Sequence, residues 1–315
     1  MKYVSFGKTG IRVSPLCMGT MTFGKEADEQ TAIRLMNRAV EAGINFFDTA
    51  NVYNEGVTEE IVGRWLGPRR EEIILASKAH FPTGEGPNER GSSRRNIVHS
   101  VEKSLKRLQT DWLDILYLHH WDEEAALEQS LAAVTDLVAQ GKVLYCAVSN
   151  FSAWQTMKGI GIASHCNLAP IMAMQPMYNL VKRQAEVELL PLALSEGLAV
   201  CPYNPLAAGL LTGKYQDGGS GRLHESEMYG VRYKNEQYWK ISERFARYAR
   251  EHGYSPAALA VAWVASHPAV TSPILGARNL EQLNETLGSL DIELTEEARA
   301  EIAGLGATPP LATDR

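Results

Sequence analysis

Cysteine is scarce in this chain: Cys17, Cys146, Cys166 and Cys201 are the four among 315 residues, widely spaced and without a C-x-x-C pair. That excludes a disulfide scaffold and a thiol metal or redox centre, and all four are expected to be reduced, buried and inert, with Cys201 the one nearest a site. Long apolar runs are also missing. None approaches the roughly 20 residues of a membrane span, and the opening MKYVSFGKTG alternates polar and apolar residues with no signal-peptide core. The expectation is a cytoplasmic protein with no membrane partner. There is no excess of positive charge: 31 lysines and arginines face 37 acids, for a net charge of −6, with no basic block or stripe. Nucleic acid is therefore not an expected partner. No G-x-G-x-x-G occurs, which disfavours a doubly wound dinucleotide domain, and no H-x-H or H-E-x-x-H supplies a metal site. No composition shift, low-complexity tract or internal repeat divides the chain, so residues 1–315 are read as one domain.

What is present is a rhythm. KYVSFG, KTG and IRVS read as a small hairpin turning at Gly7 and Gly10, which should plug one end of the molecule. From Pro15 onward an apolar run, a loop and a helix of 3.6-residue period repeat. PLCMGT precedes a helix near Asp28–Glu41, INFFD one near Thr58–Leu66, and IILASK, after the loop FPTGEGPNERG, one from about Ser93 to Leu108. DILYLHH precedes Glu124–Gln140, KVLYCAVSN precedes Ser152–Ile160, and PIMAMQ precedes Gln184–Glu196. LAVCPY leads through an irregular segment to Glu236–Glu251 and Ser255–Ser266, and SPILGA leads to Leu280–Leu287. Eight strands, apolar on both faces and separated by helices, argue for a closed parallel sheet. The fold class expected is α/β, a (β/α)8 TIM barrel with an N-terminal β-hairpin. Strand ends fall near Thr20, Asp48, Lys78, His119, Ser149, Gln175, Tyr203 and Gly276. The last gap carries an insertion of about forty residues after strand seven, including the Gly-rich TGKYQDGGSGRLHESEMYG, which reads as a mobile flap over 212–235 on the active face.

In such a barrel the strand C-termini converge on one mouth. The second strand, in INFFDTANVY, supplies Asp48 and, five residues on, Tyr53; the third ends on Lys78; the fourth ends LHHWD with His119 and His120. Singly, each has an ordinary explanation as a turn cap, a loop aromatic, a solvated strand end or a core histidine. Together they form an acid-base set. A phenol of pKa about 10 is a poor proton donor near neutrality. An adjacent ammonium stabilises the phenolate, a carboxylate holds the ammonium, and an imidazole adds a hydrogen bond where charge develops on a carbonyl oxygen. The set lacks an electron source, which a hydride-donating cofactor would provide. A metal-dependent hydrolase using Asp48, His119 and His120 is the poorer alternative, since strand one carries no histidine.

The order Asp48, Tyr53, Lys78, His119 resembles the catalytic tetrad of the aldo-keto reductase family, barrels that reduce aldehydes and ketones with NADPH. FFDTANVYNEGVTEEIVG resembles one family signature and DILYLHHWD the histidine segment, while AVSNFS, MQPMYNL, CPYNPLAAGLLTGKY and LGARNLEQLNETLG resemble cofactor segments. The resemblance spans nearly the whole chain in register. It implies that His119, rather than His120, is the family histidine, because it keeps the family spacing from Asp114. It also implies NADP(H) as cofactor, with Ser149, Asn150 and Gln175 on the nicotinamide carboxamide and Tyr203 stacked on the ring. Leu206, Gly209, Leu211 and Lys214 would follow the pyrophosphate, and Arg278, Gln282 and Glu285 the adenosine, Arg278 suiting a ribose 2′-phosphate. Thr20, Met21, Asp48, Asn204, Pro205 and Gly276 complete the implied cofactor set. Two positions depart from the family pattern: Thr286 stands where asparagine is common and Asn204 where serine is common.

The substrate implied is a small carbonyl compound, met by Tyr53 and His119 within walls from Met21, Thr22, Phe81, Trp121 and the flap. After the last barrel helix only a short helix near Thr295–Ala303 and the tail GATPPLATDR follow, so the long C-terminal loop of steroid-reducing members is expected to be absent and the site open. The alternative within the same fold is an NADPH-binding regulatory barrel with little turnover, like the channel-associated β subunits. The hairpin begins at Lys2, so the long N-terminal extension of such a regulator is not expected.

Overall fold

The structure is a computed structural model that describes residues 1–216 and 218–313; Asp217, inside the expected flap, lies outside the described residues. Strands β1 (Val4–Ser5) and β2 (Arg12–Val13) form the antiparallel hairpin, Val4 opposite Val13. It does plug the barrel. Phe6 and Val13 are fully buried, and the Phe6 ring meets Phe46 edge-on at 5.6 Å.

Eight parallel strands follow: β3 (Cys17–Gly19), β4 (Phe46–Asp48), β5 (Ile74–Ala79), β6 (Leu113–Leu118), β7 (Val143–Ser149), β8 (Ile171–Gln175), β9 (Ala199–Val200) and β10 (Ile274–Leu275). They lie in the order β10-β3-β4-β5-β6-β7-β8-β9, each pair parallel. The seam between first and last is stitched just past β9, where the Ile274 amide donates to the Pro202 carbonyl at 2.9 Å and the Thr271 amide to Val200 at 2.8 Å. The strands read as unbroken apolar runs because both faces are covered: all six residues of LDILYL are buried. β9 stops at Val200 rather than at Tyr203, since Pro202 has no amide to give to the ladder, and Tyr203 makes only an isolated bridge with Met177.

The ring of helices begins with α1 (Glu29–Glu41), α2 (Val57–Leu66), α3 (Arg94–Leu108), α4 (Leu127–Ala139), α5 (Ala153–His165) and α6 (Leu189–Glu196). Caps set several starts: Asp28 accepts the Thr31 amide at 2.8 Å, and Ser152 with Gln155 forms a full capping box. Three expected boundaries move, each for a local reason. α4 begins at Leu127, not Glu124, because the Asp122 carboxylate takes the amides of Glu124 and Ala125 into a turn. α5 runs past Ile160 to His165 despite its glycines. Gly159, already inside the expected span, packs on β8, where a Cβ would meet Ile171 Cδ1 at 2.7 Å, and the helix continues through Gly161 until the Cys166 amide donates to the Ile162 carbonyl at 2.9 Å. The expected helix Gln184–Glu196 is a 3-10 turn, Gln184–Glu186, followed by α6, since Pro191 fits only a first helical turn.

Cys166, at the C-terminal cap of α5, is exposed, unlike the other three cysteines and contrary to its expected burial; it follows a helix end that points into solvent. The insertion is not structureless either. It holds a kinked 3-10 segment, Ala207–Thr212, then α7 (Arg222–Glu225) and α8 (Glu227–Arg232), before α9 (Glu236–Glu251), α10 (Pro256–Ala265), α11 (Leu280–Leu287) and α12 (Glu296–Gly304). Tyr215, Leu223, Tyr229 and Tyr233 are all buried, which fastens this strap to the barrel.

Candidate active site

Side chains two apart on a strand share a face, so the barrel interior can be followed upward by counting in twos. Phe46, Ala76, Tyr117, Ala147, Ala173 and Cys201 belong to the apolar filling of the barrel. Two residues on stand Asp48, Lys78, His119, Ser149, Gln175 and Tyr203. The same register that builds the core thus ends in a polar layer at the mouth, with Cys201 one step beneath Tyr203, fully buried.

This layer is closed by its own hydrogen bonds. Lys78 Nζ lies 2.5 Å from Asp48 Oδ1, 2.7 Å from the Thr49 carbonyl and 3.1 Å from the Tyr53 hydroxyl. The second Asp48 oxygen accepts from Gln175 Nε2 at 2.9 Å. Lys78 is wholly buried and Asp48 nearly so. Tyr53 enters from the loop after β4, and its ring meets His119 edge-on at 6.2 Å; Phe81 backs His119 at 4.7 Å. Further round, Ser149 Oγ donates to the Gln175 carbonyl at 3.0 Å, and Asn150 Nδ2 donates to the His119 carbonyl at 3.0 Å while its Oδ1 accepts from Tyr203 at 2.8 Å.

Burial and charge then sort the protonation states. Burial raises the Tyr53 phenol above its ordinary pKa, and the Lys78 ammonium only partly offsets this, so Tyr53 is a loaded acid at neutral pH. The ammonium therefore works against the desolvation of the phenol rather than bringing it below the ordinary range. Burial alone would lower Lys78, but Asp48 and then Tyr53 outweigh it and hold the amine protonated. Burial, followed by the Lys78 charge, pushes His119 well below the usual imidazole range; the ring is neutral, and its Nδ1 has no hydrogen-bond partner among the described residues.

Above the layer opens a cleft of about 1490 Å³, running from Tyr53, His119 and Tyr203 to Arg278, Gln282 and Glu285. That exceeds the roughly 300–1,000 Å³ of an ordinary small-ligand pocket and leaves room for a dinucleotide beside a substrate. Gly276 lines the cleft, and a Cβ added there would meet no atom within 4 Å: the missing side chain is open cleft floor. Lys214, Arg222 and Arg278 supply cations suited to phosphates at the far end. The residues present fit a nicotinamide dinucleotide.

Most of the residues read from the sequence meet at this cleft. Thr20, Met21, Thr22, Phe81, Asn204, Pro205, Leu206 and Gly209 line it with those already named. The Thr22 hydroxyl is spent on the Ala277 carbonyl at 2.7 Å, tying the loops after β3 and β10 together. Two residues stand elsewhere. Leu211 is in the core, and Trp121 packs against Phe151 and Trp154, outside the cleft lining.

Other lining residues carry no pattern in the sequence: Glu26, Arg222, Glu225, Tyr229 and Arg232. Arg278 reaches Glu225 at 2.8 Å and Glu26 at 3.9 Å, and Arg222 reaches Glu26 at 3.7 Å, so ion pairs clasp the strap across the cleft. Tyrosines pin it at both ends. Tyr215 donates to the Ala208 carbonyl at 3.1 Å, and Tyr233 accepts from Asn204 and Asn179 at 2.6 and 3.2 Å. Asn204 also caps a left-handed run, Ala207, Ala208 and Gly209, by accepting the Ala208 amide at 2.7 Å. Each left-handed alanine costs about 1–2 kcal/mol, so the Asn204 amide is what keeps this turn in place.

A family model described as "Aldo/keto reductase family" matches residues 15–307. The chain belongs to that family. Among relatives of the aldo/keto reductase chain, an "Uncharacterized oxidoreductase YrpG" of Bacillus subtilis is 40% identical over 308 residues, covering 94% of this chain and 93% of the other. A "Probable voltage-gated potassium channel subunit beta" of Oryza sativa is 37% identical, covering 100% and 99%. "Norsolorinic acid reductase A" of Aspergillus parasiticus is 33% identical, covering 93% and 78%. The family match makes the chain an oxidoreductase fold with a carbonyl-reducing lineage, and the polar layer is where such chemistry is placed. Among the described residues no group of three or more His, Cys, Asp or Glu could hold a metal ion, and no helix is long and apolar enough to cross a membrane.

Proposed function

We propose that the chain is an NADPH-dependent reductase of small aldehydes or ketones, with Tyr53 as the proton donor. One observation carries the reading: Lys78 Nζ bridges Asp48, at 2.5 Å, and the Tyr53 hydroxyl, at 3.1 Å, beneath a cleft that His119 also lines. When bound, the reduced nicotinamide supplies a hydride to the carbonyl carbon. Tyr53 gives its proton to the carbonyl oxygen as charge builds there, and Lys78 stabilises the phenolate left behind. Asp48, Gln175 and the Thr49 carbonyl fix the ammonium without reaching the substrate. His119, held neutral, offers the oxygen a second hydrogen bond without placing a like charge beside Lys78. Arg278, with a planar fork suited to a ribose 2′-phosphate, favours NADPH over NADH. The cytoplasm is the proposed compartment, in keeping with four free cysteines.

The test is Tyr53→Phe. Turnover should fall by about 10²–10⁴-fold, while NADPH binding, followed by fluorescence titration, stays close to wild type. Full turnover in the variant would sink the assignment. The relatives carrying the potassium-channel name favour a second reading, a cofactor-binding subunit with little turnover. A wild-type chain that binds NADPH yet reduces nothing in a panel of aldehydes and ketones would establish it instead.

A further inference from the structure

The cations around the cleft are not equivalent. Arg278 and Arg222 are neutralised by Glu225 and Glu26, Lys214 lies within the field of Glu225, and Lys25 is exposed. Arg232 differs. It is half-buried and lines the cleft, its guanidinium rests over the Tyr229 ring at 5.4 Å, and among the described residues it has no carboxylate and no hydrogen-bond acceptor. Of the remaining acidic lining residues, Asp48 is paired with Lys78, Glu55 is exposed and Glu285 accepts the Ser255 hydroxyl, so none of them neutralises it. A second cation lies behind the cleft wall, over the ring of the next residue, Tyr233. Lys182 Nζ faces only the rings of Tyr238 and Tyr233, at 5.4 and 5.9 Å, with no ion pair among the described residues. Burial, followed by the Arg232 charge, lowers its pKa. Two partly desolvated cations side by side without a counter-charge are costly unless an anion joins them.

The place of Arg232 in the cleft says which anion. Arg278, Arg222 and Lys214 form one electrostatic group at the adenosine end. Arg232 instead precedes Tyr233, whose hydroxyl accepts from Asn204, the neighbour of Tyr203, at 2.6 Å, so it belongs to the end where the proton is transferred. Tyr229, under the Arg232 guanidinium, reaches Met21, its hydroxyl 3.9 Å from the Met21 sulfur, and gives the cleft an aromatic and apolar rim beside the arginine. We infer that Arg232 binds an anionic group of the carbonyl substrate, so that the preferred substrates are aldehydes or ketones carrying a carboxylate beyond an apolar or aromatic spacer. This rests on the reductase reading above and names its substrate class.

The experiment compares 4-carboxybenzaldehyde with its neutral isostere 4-formylbenzamide, in wild type, Arg232→Gln and Arg232→Lys. A charge-assisted bidentate contact is worth about tenfold or more. Wild type should therefore favour the acid by at least about tenfold in kcat/KM, Arg232→Gln should bring the ratio toward one through KM, and Arg232→Lys should restore part of it. A wild-type ratio near one, or an equal loss for both substrates in Arg232→Gln, overturns the inference. So does a large loss of NADPH affinity in Arg232→Gln with the substrate ratio kept, which would assign the arginine to the cofactor. If wild type reduces neither compound, the panel of aldehydes and ketones decides the reductase reading and a binding arm still decides this one. Calorimetry with 4-(hydroxymethyl)benzoate and 4-(hydroxymethyl)benzamide should show tighter binding of the acid, lost in Arg232→Gln; equal binding overturns it.

Discussion

The two sides of the cleft are built on opposite principles. On the barrel side, Asp48, Lys78 and Gln175 are buried, project from regular strands and bond to one another. On the strap side, Glu225 comes from a four-residue helix and is held to Arg278, in the loop after β10, through an ion pair open to water. Buried bonds fix geometry because no solvent competes for them. Exposed ion pairs contribute little and exchange readily. The groups that support the proposed proton donor thus sit where atoms cannot drift, and the strap sits where contacts can be remade, which suits the proposed binding and release of a large cofactor.

That contrast can be broken most forcefully at Lys78. Lys78→Met leaves the buried Asp48 carboxylate with Gln175 alone and should cost about 3–5 kcal/mol of unfolding free energy, together with turnover; urea melts and an aldehyde assay read both. An unchanged melt would mean that the mouth is not the rigid side. Arg278→Ala tests the strap side and should raise the KM for NADPH by about 10- to 100-fold, the value of a charge-assisted contact, with the KM for NADH nearly constant. Equal effects on the two cofactors would remove the 2′-phosphate role.

A smaller effect is expected with pH. The His119 pKa in the folded chain lies well below the unfolded value of about 6.5. Below pH 6.5 the unfolded chain therefore binds a proton that the folded chain refuses, so this histidine's stability share is complete above that pH and is lost as acid is added. The slope is at most about 1.4 kcal/mol per pH unit for one group. His119→Gln should remove its share, while that of His267, which burial pushes down to about 4, stays. An unaltered slope would place the His119 ring in water. The smallest change should come from Glu225→Gln, which opens the clasp: no shift of the urea midpoint, but faster release of NADP⁺ in stopped flow. A lower midpoint with unchanged release would make the clasp a structural prop.

How far the sequence alone led follows the same division. Asp48, Lys78, Gln175 and Tyr203 were legible because each stands at the C-terminal end of a short apolar run, and a strand buried on both faces shows as such a run, as in LDILYL. Glu26, Arg222, Glu225 and Arg232 were not, since no periodicity links the loop after β3 with short helices some two hundred residues away. Their partnership exists only after the barrel has closed. Trp121 followed the histidine closely enough to look like a pocket wall, yet Phe151 and Trp154 give its ring a better apolar contact outside the cleft.

The stitching of the barrel seam bears on how the molecule comes into being. β10 pairs with β3 on one side and meets the chain after β9 on the other, through Cys17, Ile274 and Pro202. A nascent chain therefore emerges with most of its strands made and one gap still open, and for that interval the edges of β3 and β9 are unpaired. Such edges recruit other strands, including those of neighbouring chains. The ring is sealed by a two-residue strand, short enough to drop into the gap at the end of synthesis. The last turn of assembly also completes the cleft wall, because Gly276 and Arg278 arrive with that strand.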